Sequence, residues 1–315
     1  MIFHRTASLQ SLALDSVVGV TLGNFDGMHL GHQALLERLG DELSEFEPER
    51  GQIRVMASFY PHPRKVLAGV KEPEQLTPMR EKALLAESLG VDIYYAMHFT
   101  KDFAKLSAED FVEQYLVQRL RADVVVVGHD WSFGAGRSGT TETLTELAHK
   151  FGFRASVVNP VMQDGERISS SRVRDALRAG NLDQVRALLG RNHCISGKVV
   201  HGDKRGGKIG FPTANQSLRA AFIPRHGVYA TRVAMDGKDY PAVSNLGTRP
   251  TVDGTSVHLE THIFADFTDK LYGKPIRTEL CGFLRDEKRF TSVDELREQI
   301  ARDCRSAKEF HAILQ

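Results

Sequence analysis

Cysteine is scarce in this 315-residue sequence: Cys194, Cys281 and Cys304 are its three, widely spaced and without a CxxC pair. That scarcity excludes a small disulfide-stapled scaffold and argues against both a zinc site and an oxidising compartment. An excess of charge of one sign is missing too, since 41 Lys and Arg face 40 Asp and Glu. No global field therefore draws the chain onto nucleic acid or an anionic membrane, and any polyanion site has to be local. No apolar run approaches the ~18 residues that span a bilayer. Residues 1–10 lack the basic stretch and apolar core of a signal peptide. Tryptophan occurs once, and there is no internal repeat or low-complexity tract. The expectation is a soluble, cytoplasmic protein.

What is present suffices for real cores, because 41% of the residues are hydrophobic. A chain of 315 residues exceeds what one core usually organises, which predicts two domains. From Val17 to about Val158, short β-branched runs alternate with helical stretches, the pattern of parallel strands joined by crossover helices. Candidate strands cover 17–22, 53–59, 92–96, 124–127 and 155–158, and candidate helices cover 30–39, 78–89, 107–120 and 141–150. Ser107 and Asp110 are spaced as in a capping box. Two further helices, 171–179 and 182–189, each run into a glycine, Gly180 and Gly190, a common helix stop.

After Gly190 the texture changes to strand and turn, with runs at 195–200, 228–233, 240–244, 257–264 and 276–283. Asp236-Gly237 between two of them favours a type I′ hairpin, where both central residues need positive φ. Val293, Leu296, Ile300 and Cys304 fall at helical spacing and predict a closing helix over 292–313. The fold class expected is an α/β parallel sheet with crossover helices at the N-terminus, plus a C-terminal β-barrel closed by a helix. The domains divide as 1–186 and 187–315, with the boundary near residues 186–192.

Two constellations carry chemistry. The first strand runs into Gly23-Asn24-Phe25-Asp26-Gly27-Met28-His29-Leu30-Gly31-His32, where a helix begins. Ligands of an open parallel sheet bind at the carboxyl ends of its strands. Glycines let backbone approach a phosphate, and the helix dipole favours its charge. His29 and His32, three apart, can share one face of the first helical turn and donate to phosphate oxygens as charge builds up in a transition state. Nucleotidyl transfer follows; a metal-binding His pair or a plain tight turn are the alternatives, disfavoured by the helix position and the glycines. Further on, Ser169, Ser170 and Ser171 cluster at a helix start with Arg172 and Arg174 behind them, which can cradle departing phosphates or simply cap the helix. Gly134-Ala135-Gly136-Arg137-Ser138-Gly139 spells GxGxxG, a dinucleotide pattern. Six residues separate it from the strand end at Val127, where the fingerprint should follow directly, and no strand with a terminal acid follows at the right distance.

In the β-rich half, the stretch from Gly202 to Lys208 satisfies GxxxxGK, yet Ile209 stands where a P-loop needs Ser or Thr. A basic, glycine-rich loop can still fold its N–H groups around ATP phosphates. Gly210, Phe211 and Pro212 lead to Thr213 and Asn215, which alternate onto one side of an extended segment and can offer oxygen ligands to a metal. A turn followed by a strand start is the plain alternative. In the run 258–264, His258, Glu260 and His262 share one face while Leu259, Thr261 and Ile263 share the other. A carboxylate there could accept the proton of a primary alcohol attacking a γ-phosphate, or that face could simply meet water.

The ten residues 23–32 resemble the HxGH nucleotidyltransferase signature in the form GNFDGxHxGH, that of the bacterial bifunctional riboflavin kinase/FAD synthetase family, and the resemblance covers nearly the whole chain. The segment from Gly202 to Asn215 is similar to the family's kinase mark GxxxGxxxGFPTAN, and 260–262 to its ETH segment. The resemblance implies two reactions: riboflavin and ATP give FMN in the barrel, then FMN and ATP give FAD and pyrophosphate in the sheet domain. It implies Mg2+ on Thr213 and Asn215, Glu260 as catalytic base, and His29 and His32 as catalytic histidines. Nucleotide contacts fall on Gly23, Asn24, Phe25, Asp26, Gly31, Ser169, Ser170, Ser171, Arg174, Gly202, Lys208, Gly210, Phe211 and Pro212. Flavin contacts fall on Pro61, His62 and Pro63 of a PHP loop, on Asp130 and Phe133 of a GxDFxFG-like loop, and on Arg285. That second loop departs from the family at Trp131, where Phe is usual, and at Ser132, a frequently basic position. The partners implied are small molecules, with no nucleic acid, no membrane and no oligomeric state assigned. A single-activity enzyme with one degenerate half, or a flavin carrier without chemistry, are the alternatives.

Overall fold

The computed structural model describes residues 2–4, 15–47, 49–69, 74–201, 210–218, 222–251, 254–265 and 271–313. Its contacts divide the chain into two compact units, Met1–Ser170 and Ser171–Gln315. Among the described residues no helix is long and apolar enough to cross a membrane.

The first unit is a six-stranded parallel sheet with the order β1-β4-β3-β2-β5-β6. Its strands are β1 (Ile2–His4), β2 (Val17–Leu22), β3 (Gln52–Tyr60), β4 (Ile93–His98), β5 (Val124–Gly128) and β6 (Arg154–Val158). Strands buried on both faces read as continuous apolar runs, and β2 and most of β5 are buried throughout. Helix α1 (Leu30–Ser44) lays Leu35, Leu36, Leu39 and Leu43 on one face, joined by Ala86 of α3 (Met79–Ser88). The other face is covered by α4 (Ala108–Phe111), continued as π-helix over Val112–Arg119, and by α5 (Thr141–Phe151). A short helix, α2 (Pro63–Ala68), follows β3. Ser107 caps α4 by accepting from the Asp110 N–H at 3.0 Å, a contact of about 1 kcal/mol. A hairpin of β7 (Met162–Gln163) and β8 (Glu166–Arg167) closes the unit.

The second unit opens with most of α6 (Ser170–Ala179) and with α7 (Leu182–Leu189), each ending in a left-handed glycine, Gly180 and Gly190. A closed antiparallel barrel follows, in the order β10-β13-β12-β11-β14-β9. Its strands are β9 (His193–Val200), β10 (Ala214–Ser217), β11 (Gly227–Met235), β12 (Lys238–Thr251), β13 (Gly254–Ile263) and β14 (Pro275–Arg285). Asp236 and Gly237 have φ of 51° and 75°, the mirror-image turn their dipeptide predicts. The barrel interior mixes aliphatic residues with satisfied polar ones. Thr231, Ser244 and Thr261 form a buried hydroxyl chain with 2.8 Å links, and the Gln216 amide donates to the Ile195 carbonyl while accepting from Thr278. Helix α8 (Val293–Ile313) packs Cys304 and Ala307 against the outer face of the barrel.

Candidate active sites

In the parallel sheet the chain runs from β2 to β3 on one side and returns to β5 on the other, so a switch point lies between β2 and β5. Loops at the carboxyl ends of strands flank a crevice at such a point. The turn 23–29 leaves β2, the PHP segment leaves β3, the 128–134 loop leaves β5, and 159–169 follows β6. All four therefore belong to one edge of the sheet.

His29 is the N-cap residue of α1, and its ring stacks on that of His32 with centroids 3.6 Å apart and planes 16° apart. Gly31 explains how the pair lies so close to the helix: a Cβ there would come within 3.2 Å of the His29 ring. Phe25 meets the His32 ring edge-on at 5.3 Å and is itself fully buried. The turn is braced from several sides. The Asp26 carboxylate accepts from the Thr77 N–H at 3.1 Å, the Asp26 carbonyl accepts from the Ser170 hydroxyl at 2.8 Å, and Lys82 donates to the Asn24 carbonyl at 2.5 Å. Gly23 extends the sheet by donating to the Ala57 carbonyl. Ser169 and Ser170 thus stand at the same edge; Ser171 and Arg174 continue on α6 in the second unit.

Pro61, His62 and Pro63 are half-buried, and His62 caps α2 by accepting from the Arg64 N–H. In the next loop Trp131 stacks on Phe133 at 4.4 Å. Burial opposes ionisation of Asp130, yet the Arg167 guanidinium, hydrogen-bonded at 2.7 Å, holds the carboxyl below the usual range. Ser132 accepts a hydrogen bond from Arg137 at 2.6 Å. The GxGxxG stretch lies between β5 and α5 but does not follow the strand end directly, and its outer glycines serve close packing: a Cβ on Gly134 would meet Ala108 and one on Gly139 would meet the Phe133 ring, each at 2.8 Å.

The second site is a cleft of about 260 Å³ between the outer face of the barrel and α8, with Thr213, Asn245, Glu260, Arg285 and Asp303 in its lining. Strand register assembles it. Glu260 lies directly opposite Asn215 on one side and Asn245 on the other, so the three side chains share a face. His258, Glu260 and His262 are half-exposed while Leu259, Thr261 and Ile263 are buried. Glu260 and His262 line the cleft and do not merely face bulk water. His262 also grips the segment before β10, with Nδ1 at 2.8 Å from the Pro212 carbonyl and its ring against Phe211. Gly210 has φ +89° at the entry to that segment. Gly202 and Lys208 lie outside the described residues.

Asn215 is 7% exposed, and its Oδ1 has no hydrogen-bond partner among the described residues. A buried acceptor left over is costly unless something else meets it. Together with the Thr213 hydroxyl it makes an all-oxygen donor set, the kind that suits a hard divalent cation such as magnesium. Arg285 is held by a forked ion pair to Asp303 of α8, at 2.8 and 2.6 Å, and Asp303 also accepts from Gln299. Sequence reasoning singled out neither Asp303 nor Lys82, because each partner lies far along the chain, and no local pattern announces either contact.

Residues 12–172 match the family described as FAD synthetase, and residues 189–311 match riboflavin kinase. The bifunctional riboflavin kinase/FMN adenylyltransferase of Escherichia coli (strain K12) is 43% identical over 296 residues, covering 93% of this chain and 93% of that protein. The protein of the same name from Bacillus subtilis (strain 168) is 37% identical over 294 residues, covering 91% and 90%. A crystal structure from Streptococcus pneumoniae, described as a macrolide-efflux protein, is similar with a TM-score of 0.86 at 30% identity, over 98% of this chain and 99% of its own. That likeness shows a shared fold along the whole chain, and the efflux description stays with that protein.

Proposed function

The chain belongs to the bifunctional riboflavin kinase/FMN adenylyltransferase family, and from that premise we propose which of its residues serve each reaction. The protein phosphorylates riboflavin to FMN and adenylylates FMN to FAD. One active half alone, or a carrier without chemistry, is not retained, because both halves match catalytic families. We assign 1–186 to adenylyl transfer and 187–315 to the kinase, a division between the end of the first match at 172 and the start of the second at 189.

In the kinase the nucleophile is a primary alcohol, weak while it keeps its proton. Glu260 accepts that proton as the oxygen attacks the γ-phosphate. Arg285, fixed by Asp303, serves the flavin. Thr213 and Asn215 hold Mg2+, which neutralises phosphate charge when bound. In the adenylyltransferase the nucleophile is the phosphate of FMN, already an anion, so no base is needed. His29 and His32 donate to the ATP phosphates, the turn 23–27 and Ser169 receive the rest of the triphosphate, and Ser170 supports them by bracing the Asp26 carbonyl. The PHP segment, Asp130 and Phe133 bound the flavin. The three cysteines, none of them in a disulfide, agree with a reducing, cytoplasmic setting.

The observation that carries this reading is the register that sets Glu260 against Asn215, whose buried Oδ1 lacks a protein partner among the described residues. Incubation with riboflavin and Mg-ATP, and separately with FMN and Mg-ATP, followed by separation of the flavins, tests it. FMN must form in the first tube, FAD in the second, and a chelator must stop both; turnover that survives chelation removes the metal from the account.

A further inference from the structure

Beneath the turn 23–29 lies a cation without an assigned role. Lys82, in the first turn of α3, is 7% exposed. Burial pushes its ammonium from the ordinary 10.5 down to about 8, against the pull of the neighbouring Asp26 carboxylate. An apolar side chain of similar length would fill the space without that desolvation penalty, so packing does not explain a lysine here. What it grips is a turn the chain does not adopt freely. Phe25 and Met28 have φ of 48° and 44°, a region uncommon for residues other than glycine. Both are fully buried.

The contacts that brace the turn include Thr77 on the Asp26 carboxylate, Ser170 on the Asp26 carbonyl, Gln33 on the Met28 carbonyl at 2.9 Å, and Lys82 on the Asn24 carbonyl. Of these four donors only Lys82 brings charge. Across a trans peptide the C=O and the next N–H point in opposite directions, so anchoring the Asn24 carbonyl on Lys82 turns the Phe25 N–H away from it. Successive outward N–H groups are what a phosphate site consists of.

We propose that Lys82 is a positioning residue for adenylyl transfer: it fixes the Asn24–Phe25 peptide so that its N–H meets the ATP phosphates, and its charge offsets that of Asp26 beside them. The inference rests on the assignment of this turn to ATP. Steady-state kinetics of both reactions, on the full chain, test it with Lys82→Met and Lys82→Gln. Lys82→Met raises KM for ATP in FMN adenylylation about tenfold, with KM for FMN changed by less than about threefold and the kinase constants unchanged. Lys82→Gln keeps a donor for Asn24 without the charge and gives a smaller rise of the same selectivity; should the methionine variant not fold, this variant alone decides. An unchanged KM for ATP overturns the proposal, as does an equal rise for ATP and FMN, the mark of a generally loosened unit. His32→Ala, assayed alongside, separates the two levels. FAD formation surviving there overturns the assignment of the turn itself, whereas its loss there with a normal ATP KM in the lysine variants overturns only the role of Lys82.

Discussion

The two units solve related problems by different construction. In the first, the candidate residues stand on turns at the edge of a parallel sheet, in backbone that includes left-handed Phe25 and Met28 and is braced from neighbouring elements. In the second they stand on strands, and hydrogen-bond register alone brings Glu260 beside Asn215 and Asn245. The difference follows the chemistry. Where the attacking group is already an anion, the protein has to gather donors around phosphates, and turns with free N–H groups do that well. Where the attacking group is an alcohol, it has to place one carboxylate accurately, and a barrel strand is a rigid support for it.

The sharpest way to break this comparison is to remove the base proposed for only one unit. Glu260→Ala lowers FMN formation by about 10²–10⁴, the usual contribution of a general base, and leaves FAD formation from supplied FMN within about twofold. Equal loss of both activities would contradict separate sites. Next in size is the histidine pair. His29→Ala and His32→Ala each lower FAD formation by about 10²–10³, as loss of a transition-state donor does, while FMN accumulates from riboflavin; undiminished FAD counts against the stacked pair as phosphate donors.

A smaller effect distinguishes the units by stability. His193, buried at the start of β9 opposite Leu280, is held by burial, and secondarily by Arg191, from the ordinary 6.5 down to about 4. The unfolded chain takes up this proton near pH 6.5 and the folded barrel resists until about 4. Stability from this group is therefore full above pH 6.5 and declines as pH falls through that window, by on the order of 3 kcal/mol in all. Urea titrations of His193→Gln between pH 7 and 4 should show a flatter decline than the parent; an identical decline removes His193 as the cause. Trp131, the one tryptophan of the chain, lies in the first unit, and its fluorescence provides the contrast.

Much of this was legible in the residues. Strand β2 and helix α7 fall where apolar runs and the Gly190 stop place them, and the Asp236-Gly237 turn follows from its dipeptide. Asp164-Gly165 carries the same signal, with φ of 54° and 76°, and could have disclosed the β7–β8 hairpin. Other features have no local signature. β10, Ala-Asn-Gln-Ser, is short and polar; it is a strand because β9 and β13 pair with it and Gln216 finds partners in the barrel interior. β12 runs on past residue 244 through Gly247 and Pro250, where a reading of propensity stops, because barrel pairing continues across them. The widened turns over Val112–Arg119 keep a helical apolar spacing and so read as ordinary α-helix. At the sites the candidate residues were visible as motifs, whereas Lys82 and Asp303 became visible only when distant segments met.

The claim of two chemically distinct sites is tested most directly by mixing Glu260→Ala with His32→Ala and supplying riboflavin, ATP and magnesium. Each variant alone makes FAD at least about a hundredfold more slowly than the parent; the mixture restores it, because FMN released by one is adenylylated by the other. A mixture that makes FMN and no FAD, or FAD from Glu260→Ala alone at the rate of the parent, would contradict the account.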